Sequence, residues 1–152
     1  MWVTPYDIAE RFIGLKEVPG SKDNPQILAM LQLDHDWPEH DEVPWCSGFL
    51  NYPFWLLRLP RSKSLLARSW LQVGQAISLY EAEKGSDIVI LKRGGGDQPG
   101  PENLTAPGHV GFFSGHVGKD VYLLGGNQAD TVSVVPFPVD RVIGVRRIRD
   151  EG

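Results

Sequence analysis

Apolar positions recur at helical spacing in the first half of the chain and gather into short runs in the second. Ile8, Phe12 and Leu15, with Ala9 beside them, mark one face of a first helix. Thr4 is placed to cap it, Pro5 takes the first helical position, and Asp7 reaches the free amides of the first turn. Val18-Pro19-Gly20 ends that run. Asn24-Pro25 opens a shorter second helix, whose Ile27, Leu28, Met30 and Leu31 are placed to pack against the first. From Asp34 to Pro44 the pattern is lost in an acidic, turn-rich stretch that reads as a surface loop. A helix resumes at Trp45 or Cys46 and runs toward Leu50, with Pro53 interrupting or bending the chain beyond it. Ser64 through Val73 reads as a further helix, striped by Leu65, Leu66, Trp70 and Val73 and stopped by Gly74.

The character then changes. Asp87-Ile88-Val89-Ile90-Leu91-Lys92 reads as a strand and is followed by a glycine- and proline-rich loop from Gly94 to Gly108. Short apolar runs come next at 110–113, 121–124, 132–135 and 142–145, separated by turn residues. Close spacing of short strands predicts an antiparallel meander. Helices first and strands second predict an α+β domain, one unit over residues 1–152, with the helices packed on the sheet.

Composition narrows the function. Of 152 residues, 41% are apolar and 22% charged, an ordinary balance for a domain able to bury a core. Fifteen basic against nineteen acidic residues leave a formal net charge of −4, which argues against a nucleic-acid footprint over the whole chain. No apolar run approaches the roughly 20 residues of a bilayer span, so no stable membrane insertion is expected. The start of the chain has neither the positive flank nor the apolar core of a secretory signal. A single cysteine makes neither an internal disulfide nor a thiolate zinc cluster, leaving one thiol to explain.

Cys46 follows Pro44-Trp45 and so falls in the first turn of a helix, where unpaired amides and the helix dipole favour a thiolate nucleophile. The plainer reading is a small buried hydrophobe. His109 follows Ala106-Pro107-Gly108 and begins a strand, a setting that can aim an imidazole into a cleft. His35, His40 and His116 lie in segments that read as more exposed. Asn127 sits in Gly125-Gly126-Asn127-Gln128, past the next strand. If the strands over 110–114 and 121–124 pair antiparallel, His109 and Asn127 share one edge of the sheet. An Asn carbonyl there can hold one imidazole nitrogen and leave the other facing the cysteine. The alternative is a turn in which Asn127 merely tolerates an unusual dihedral angle.

The stretch Asp41-Glu42-x-Pro44-Trp45-Cys46-Ser47-x-Phe49-x-Asn51 resembles the nucleophile segment of small bacterial and phage papain-like proteins related to the CHAP and NlpC/P60 peptidoglycan amidases and endopeptidases. The resemblance continues, in order, through Ala67-Arg68-Ser69-Trp70, Gly85-x-Asp87-Ile88-Val89, Gly108-His109-Val110-Gly111-Phe112 and Leu124-Gly125-Gly126-Asn127-Gln128. It implies a papain-like fold. It also implies Cys46 as nucleophile, His109 as general base and then acid, and Asn127 as the residue orienting the imidazole, with Gln128 as fallback. Trp45, Trp70 and Gln128 are weaker candidates for the substrate groove, although Trp70 also completes an apolar stripe. Tyr52-Pro53-Phe54-Trp55 and the long loop at 94–103 depart from the family pattern.

The activity implied is thiol-dependent cleavage of amide bonds in the peptide part of bacterial peptidoglycan. A monomeric phage endolysin, made in the host cytoplasm and acting on the wall after release, is one form of it. An exported or injected wall-amidase toxin is another. A silent wall-binding module on the same scaffold and an enzyme acting on a different amide are the competing classes. No cofactor is expected. Asp34, His35, Asp36, His40, Asp41 and Glu42 offer metal ligands, and some CHAP relatives hold calcium near the nucleophile. Their spacing, however, matches neither a calcium loop nor a His-Glu-x-x-His helix, so no metal is expected.

Overall fold

The computed structural model describes residues 3–16, 24–31, 33, 45–93 and 98–149. Helix α1 (Pro5–Ala9) starts as its sequence predicts. Thr4 Oγ1 accepts from the Asp7 amide at 3.1 Å while the Asp7 carboxylate accepts from the Thr4 amide at 2.9 Å. It is shorter than its apolar spacing suggests, tightening into a 3-10 turn over Glu10–Phe12. Helix α2 (Pro25–Leu31) is capped by Asn24, whose Oδ1 accepts from the Gln26 amide at 2.9 Å. It packs principally against α3 (Cys46–Leu56), not chiefly against α1 as its apolar residues suggest. The expected loop at 34–44, with its histidines and acidic residues, lies outside the described residues.

Two sequence expectations are corrected in this half. Pro53 does not interrupt α3, which continues to Leu56. Proline removes one helical hydrogen bond, but the turn it occupies buries Leu50 and Phe54, and Phe54 packs on Trp70 and Phe112 at ring separations of 5.3 and 5.6 Å. The Ser64–Val73 stripe is not an α-helix but a 3-10 segment over Ala67–Gln72. A period of three puts Ala67 and Trp70 in the core and leaves Leu66 half exposed. Gly74 does end it, at φ +71° and too close to the Arg147 carbonyl for any Cβ.

Among the described residues the sheet has six antiparallel strands: β1 (Gln75–Ala76), β2 (Asp87–Lys92), β3 (Gly108–Val117), β4 (Asp120–Gln128), β5 (Thr131–Pro138) and β6 (Val142–Arg147). Their order is β1-β6-β2-β3-β4-β5. Strands β2 to β5 form the expected meander, whereas β6 crosses back to the free edge of β2. Arg147 locks that crossing, with Nε and Nη2 donating to the two Asp87 carboxylate oxygens at 2.9 and 2.8 Å.

Strand alternation divides the interior in two. Ile88, Ile90, Val110, Phe112, Leu124 and Val132 face the helices and meet Phe49, Leu50, Phe54 and Trp70. Val89, Leu91, Phe113, Val121, Leu123 and Val145 face the other way, against Phe137, Val139 and Val142. The architecture is α+β, with N-terminal helices on a C-terminal antiparallel sheet, in keeping with a papain-like fold.

Candidate active site

The site forms where the N-terminus of α3 meets the start of β3 and the end of β4. The register of β3 against β4 runs from Val117–Asp120 to Phe112–Leu124. Past that point lies Val110, whose backbone amide favours the thiolate form of Cys46. The amides of Ser47 and Cys46 itself, the free donors of the helix start, do the same. Gly126 lets the helix approach: a Cβ there would lie 2.5 Å from the Trp45 ring and 2.8 Å from Phe49 Cβ.

Cys46 is only 3% exposed. Burial pushes its thiol above the ordinary 9.0, and the three amides and the charge of Arg93 offset this only in part. A resting thiolate, expected from the helix start alone, is therefore not what this setting favours. Desolvation of the anion outweighs the dipole because the sulfur lies inside the protein instead of at its surface.

His109 sits on β3 beside Val110, so its side chain leaves the strand on the opposite face. Its Nε2 lies 2.9 Å from Gln128 Oε1. The Gln128 amide nitrogen donates to the carbonyls of Ser133 at 2.8 Å and Leu123 at 3.3 Å. Carbonyls only accept, so the amide cannot be flipped and Oε1 must be the atom facing histidine. The imidazole proton is then on Nε2, and Nδ1 carries the free lone pair of a base. Burial holds the pKa at about 4; the Gln128 hydrogen bond raises it, while the charges of Arg141 and Arg93 lower it further. Among the described residues no hydrogen bond joins the imidazole to the Cys46 sulfur.

Asn127 adopts the left-handed conformation, φ +58°, where the β4–β5 register shifts between Gly125 and Gln128. That bulge turns the next residue inward. Gln128 is 6% exposed and makes the contact with histidine expected of Asn127, which lines the neighbouring cleft. Gly125 makes room, since a Cβ there would fall 2.5 Å from Gln128 Oε1. Trp45 and Trp70 are fully buried and stand behind the site, not on its surface. Trp70 Nε1 donates to Ser47 Oγ at 2.9 Å. Asn51 donates to the Ser47 carbonyl and accepts from the Lys63 amide, both at 3.0 Å, so the polar residues flanking the cysteine brace α3. His116 is spent on the Gly118 carbonyl, and His35 and His40 are outside the described residues. No cluster of three or more metal-ligating side chains exists among the described residues; the acidic loop at 34–42 is not among them.

Four contributors were not singled out in the sequence. Arg68 is fully buried, donating from Nε to the Pro107 carbonyl at 3.1 Å and from Nη1 to those of Gly100 and Asn103 at 2.7 and 3.1 Å. It thereby pins the loop that delivers His109. An arginine between Ala67 and Trp70 in an apolar stripe is the signal that could have found it. Arg93, Phe137 and Arg141 wall a cleft of about 270 Å³ beside the imidazole. Nothing local in the sequence marks those three.

No family model matches the chain, and no curated protein matches it. Among solved structures it is similar to NlpC1 from Trichomonas vaginalis, at 16% identity and a TM-score of 0.54 over 96% of this chain. The chain spans 44% of that protein's length. The likeness is one of fold: N-terminal helices packed on a C-terminal antiparallel sheet.

Proposed function

We propose that the chain is a thiol-dependent hydrolase that cleaves amide bonds in the peptide part of bacterial peptidoglycan, working as a monomeric phage endolysin. The observation that carries this reading is the Gln128-held imidazole, bare at Nδ1, on the residue next to Val110, whose amide favours the thiolate form of Cys46. The choice of wall peptides follows from the sequence resemblance to the CHAP and NlpC/P60 amidases and endopeptidases. On this reading the Cys46 thiol passes its proton to His109 Nδ1 as the sulfur attacks the substrate carbonyl carbon. The oxyanion forms at the start of α3, where the Cys46 amide is the natural donor. The imidazolium gives its proton to the leaving nitrogen, the C–N bond breaks and a thioester remains. Water then loses a proton to Nδ1 and attacks, releasing a carboxylic acid and restoring the thiol. Gln128 keeps Nε2 protonated throughout.

The enzyme would act on the wall after release from the cytoplasm of the cell that makes it, and export as a toxin would use the same chemistry. The test is amine release from purified sacculi by the wild-type protein and by Cys46→Ala. Release by wild type alone supports the reading, and equal inactivity on several wall types overturns it.

A further inference from the structure

We propose that Arg93 and Arg141 form a carboxylate subsite, so that the substrate carries a free carboxylate on the half that leaves with the amine. This rests on the hydrolase reading and specifies its substrate. The cleft beside His109 is bounded by Arg93, Arg141, Phe137, Val135 and Asn127, and among the described residues no Asp or Glu lines it. Among the described residues that line it, charge comes from the two guanidiniums and no carboxylate, in a chain of net charge −4.

Arg141 is built into place. Its Nε and Nη2 both donate to the Lys92 carbonyl at 3.0 Å, and its guanidinium lies 5.2 Å from the centre of the Phe137 ring. Two of its five N–H donors are used there, leaving donors for a ligand. Arg93 follows the last residue of β2 and is exposed, with no ion pair among the described residues. The other face of this apparatus is the imidazole, 5.2 Å from the same Phe137 ring. Both arginine charges are felt at His109, and that of Arg93 reaches Cys46 as well, so the cleft and the reacting groups share one field.

The direction of the substrate follows from the proton. On the hydrolase reading His109 hands it to the leaving nitrogen, so the fragment carrying that nitrogen lies next to the imidazole, which itself lines this cleft. Phe137 and Val135 supply an apolar wall for its stem, and the two arginines take its carboxylate by charge-assisted hydrogen bonds.

The test uses matched wall peptides in which the residue donating the leaving amine has its carboxylate free or amidated. Wild type is expected to favour the free acid in kcat/KM by about tenfold or more, chiefly through KM. Arg93→Gln, at an exposed position, collapses that ratio toward one; Arg141→Lys, which keeps the charge but loses the fork, gives an intermediate ratio. In parallel, Cys46→Ala and Cys46→Ala with Arg93→Gln are titrated with both peptides while the His109 imidazole resonances are followed. Equal cleavage of the two peptides by wild type overturns the subsite and leaves the hydrolase reading standing. No cleavage of either, with tighter, Arg93-dependent binding of the free acid, supports the subsite and overturns the hydrolase reading. Equal or absent binding of the two peptides without cleavage overturns both.

Discussion

His109 and Gln128 are joined Nε2 to Oε1 at 2.9 Å, and the direction of that hydrogen bond is fixed by the two carbonyls that hold the other end of the Gln128 amide. The tautomer with a bare Nδ1 is thus imposed by main-chain groups of β4 and β5. Gln128→Ala is expected to lower kcat about 10- to 100-fold, the usual scale for loss of an orienting partner, with little change in KM. Asn127→Gly keeps the left-handed bulge and should retain activity within about threefold. Steady-state kinetics on one wall peptide checks both; a larger loss in Asn127→Gly than in Gln128→Ala would return the orienting role to Asn127.

A pKa of about 4 for His109 has a signed consequence for stability. The unfolded imidazole takes up its proton near the ordinary 6.5, while the folded one stays neutral until about 4. Stability from this group is therefore complete above pH 7, falls as the pH drops from 6.5 to 4, and levels off below that. The whole effect is at most about 3 kcal/mol. Urea titrations at pH 7 and 4.5 should show a loss that His109→Gln largely abolishes. The acid limb of kcat/KM should likewise fall near pH 4 instead of near 6.5.

Burial of Cys46 leads to a complementary expectation. With the thiol pushed above 9.0, alkylation by iodoacetamide should be slow at pH 7 and accelerate through pH 9 and beyond. A rate already at its plateau at pH 7 would mean a resting thiolate and would contradict a site at rest with neutral thiol and neutral imidazole.

Much of this was legible in the sequence because the signals were local. Thr4, Pro5 and Asp7 specify their helix start within four residues, and Asp87–Lys92 is a strand with the ends its apolar run suggests. Cys46 and His109 stood out as candidates because the segments around them carry their own start signals, and the structure places them at the start of α3 and in β3. The choice between Asn127 and Gln128 was not, since it depends on a bulge created by pairing β4 with β5. Nor was the 3-10 form of Ala67–Gln72: only tertiary packing of Trp70 and Arg68 reveals a period of three where the apolar stripe fits 3.6. The arginines of the cleft come from the end of β2 and the turn before β6, which meet only once β6 has crossed back.

Arg68 offers a test of how the loop before His109 is held. Arg68→Met keeps the stem but leaves the carbonyls of Pro107, Gly100 and Asn103 without their donor. A loss of about 3 kcal/mol in urea unfolding is expected, with faster amide exchange across residues 98–108. Unchanged exchange in that segment would show that the loop is held by something else.

Adjacent glycines separate packing from chemistry. Gly126→Ala drives a methyl into the Trp45 ring and should cost about 1–3 kcal/mol in stability. Gly125→Ala places its methyl against Gln128 Oε1 and 3.4 Å from His109 Nε2. Activity should suffer more than stability there, whereas the reverse order at the two positions would contradict the assignment of faces.

The most direct measurement is digestion of purified peptidoglycan in water enriched in oxygen-18, followed by mass spectrometry of the fragments. Wild type should yield new peptide carboxylates carrying one heavy oxygen, paired with new amine termini, and Cys46→Ala should yield neither. The same labelled products from Cys46→Ala, or label confined to sugar ends, would contradict thiol-dependent amide hydrolysis.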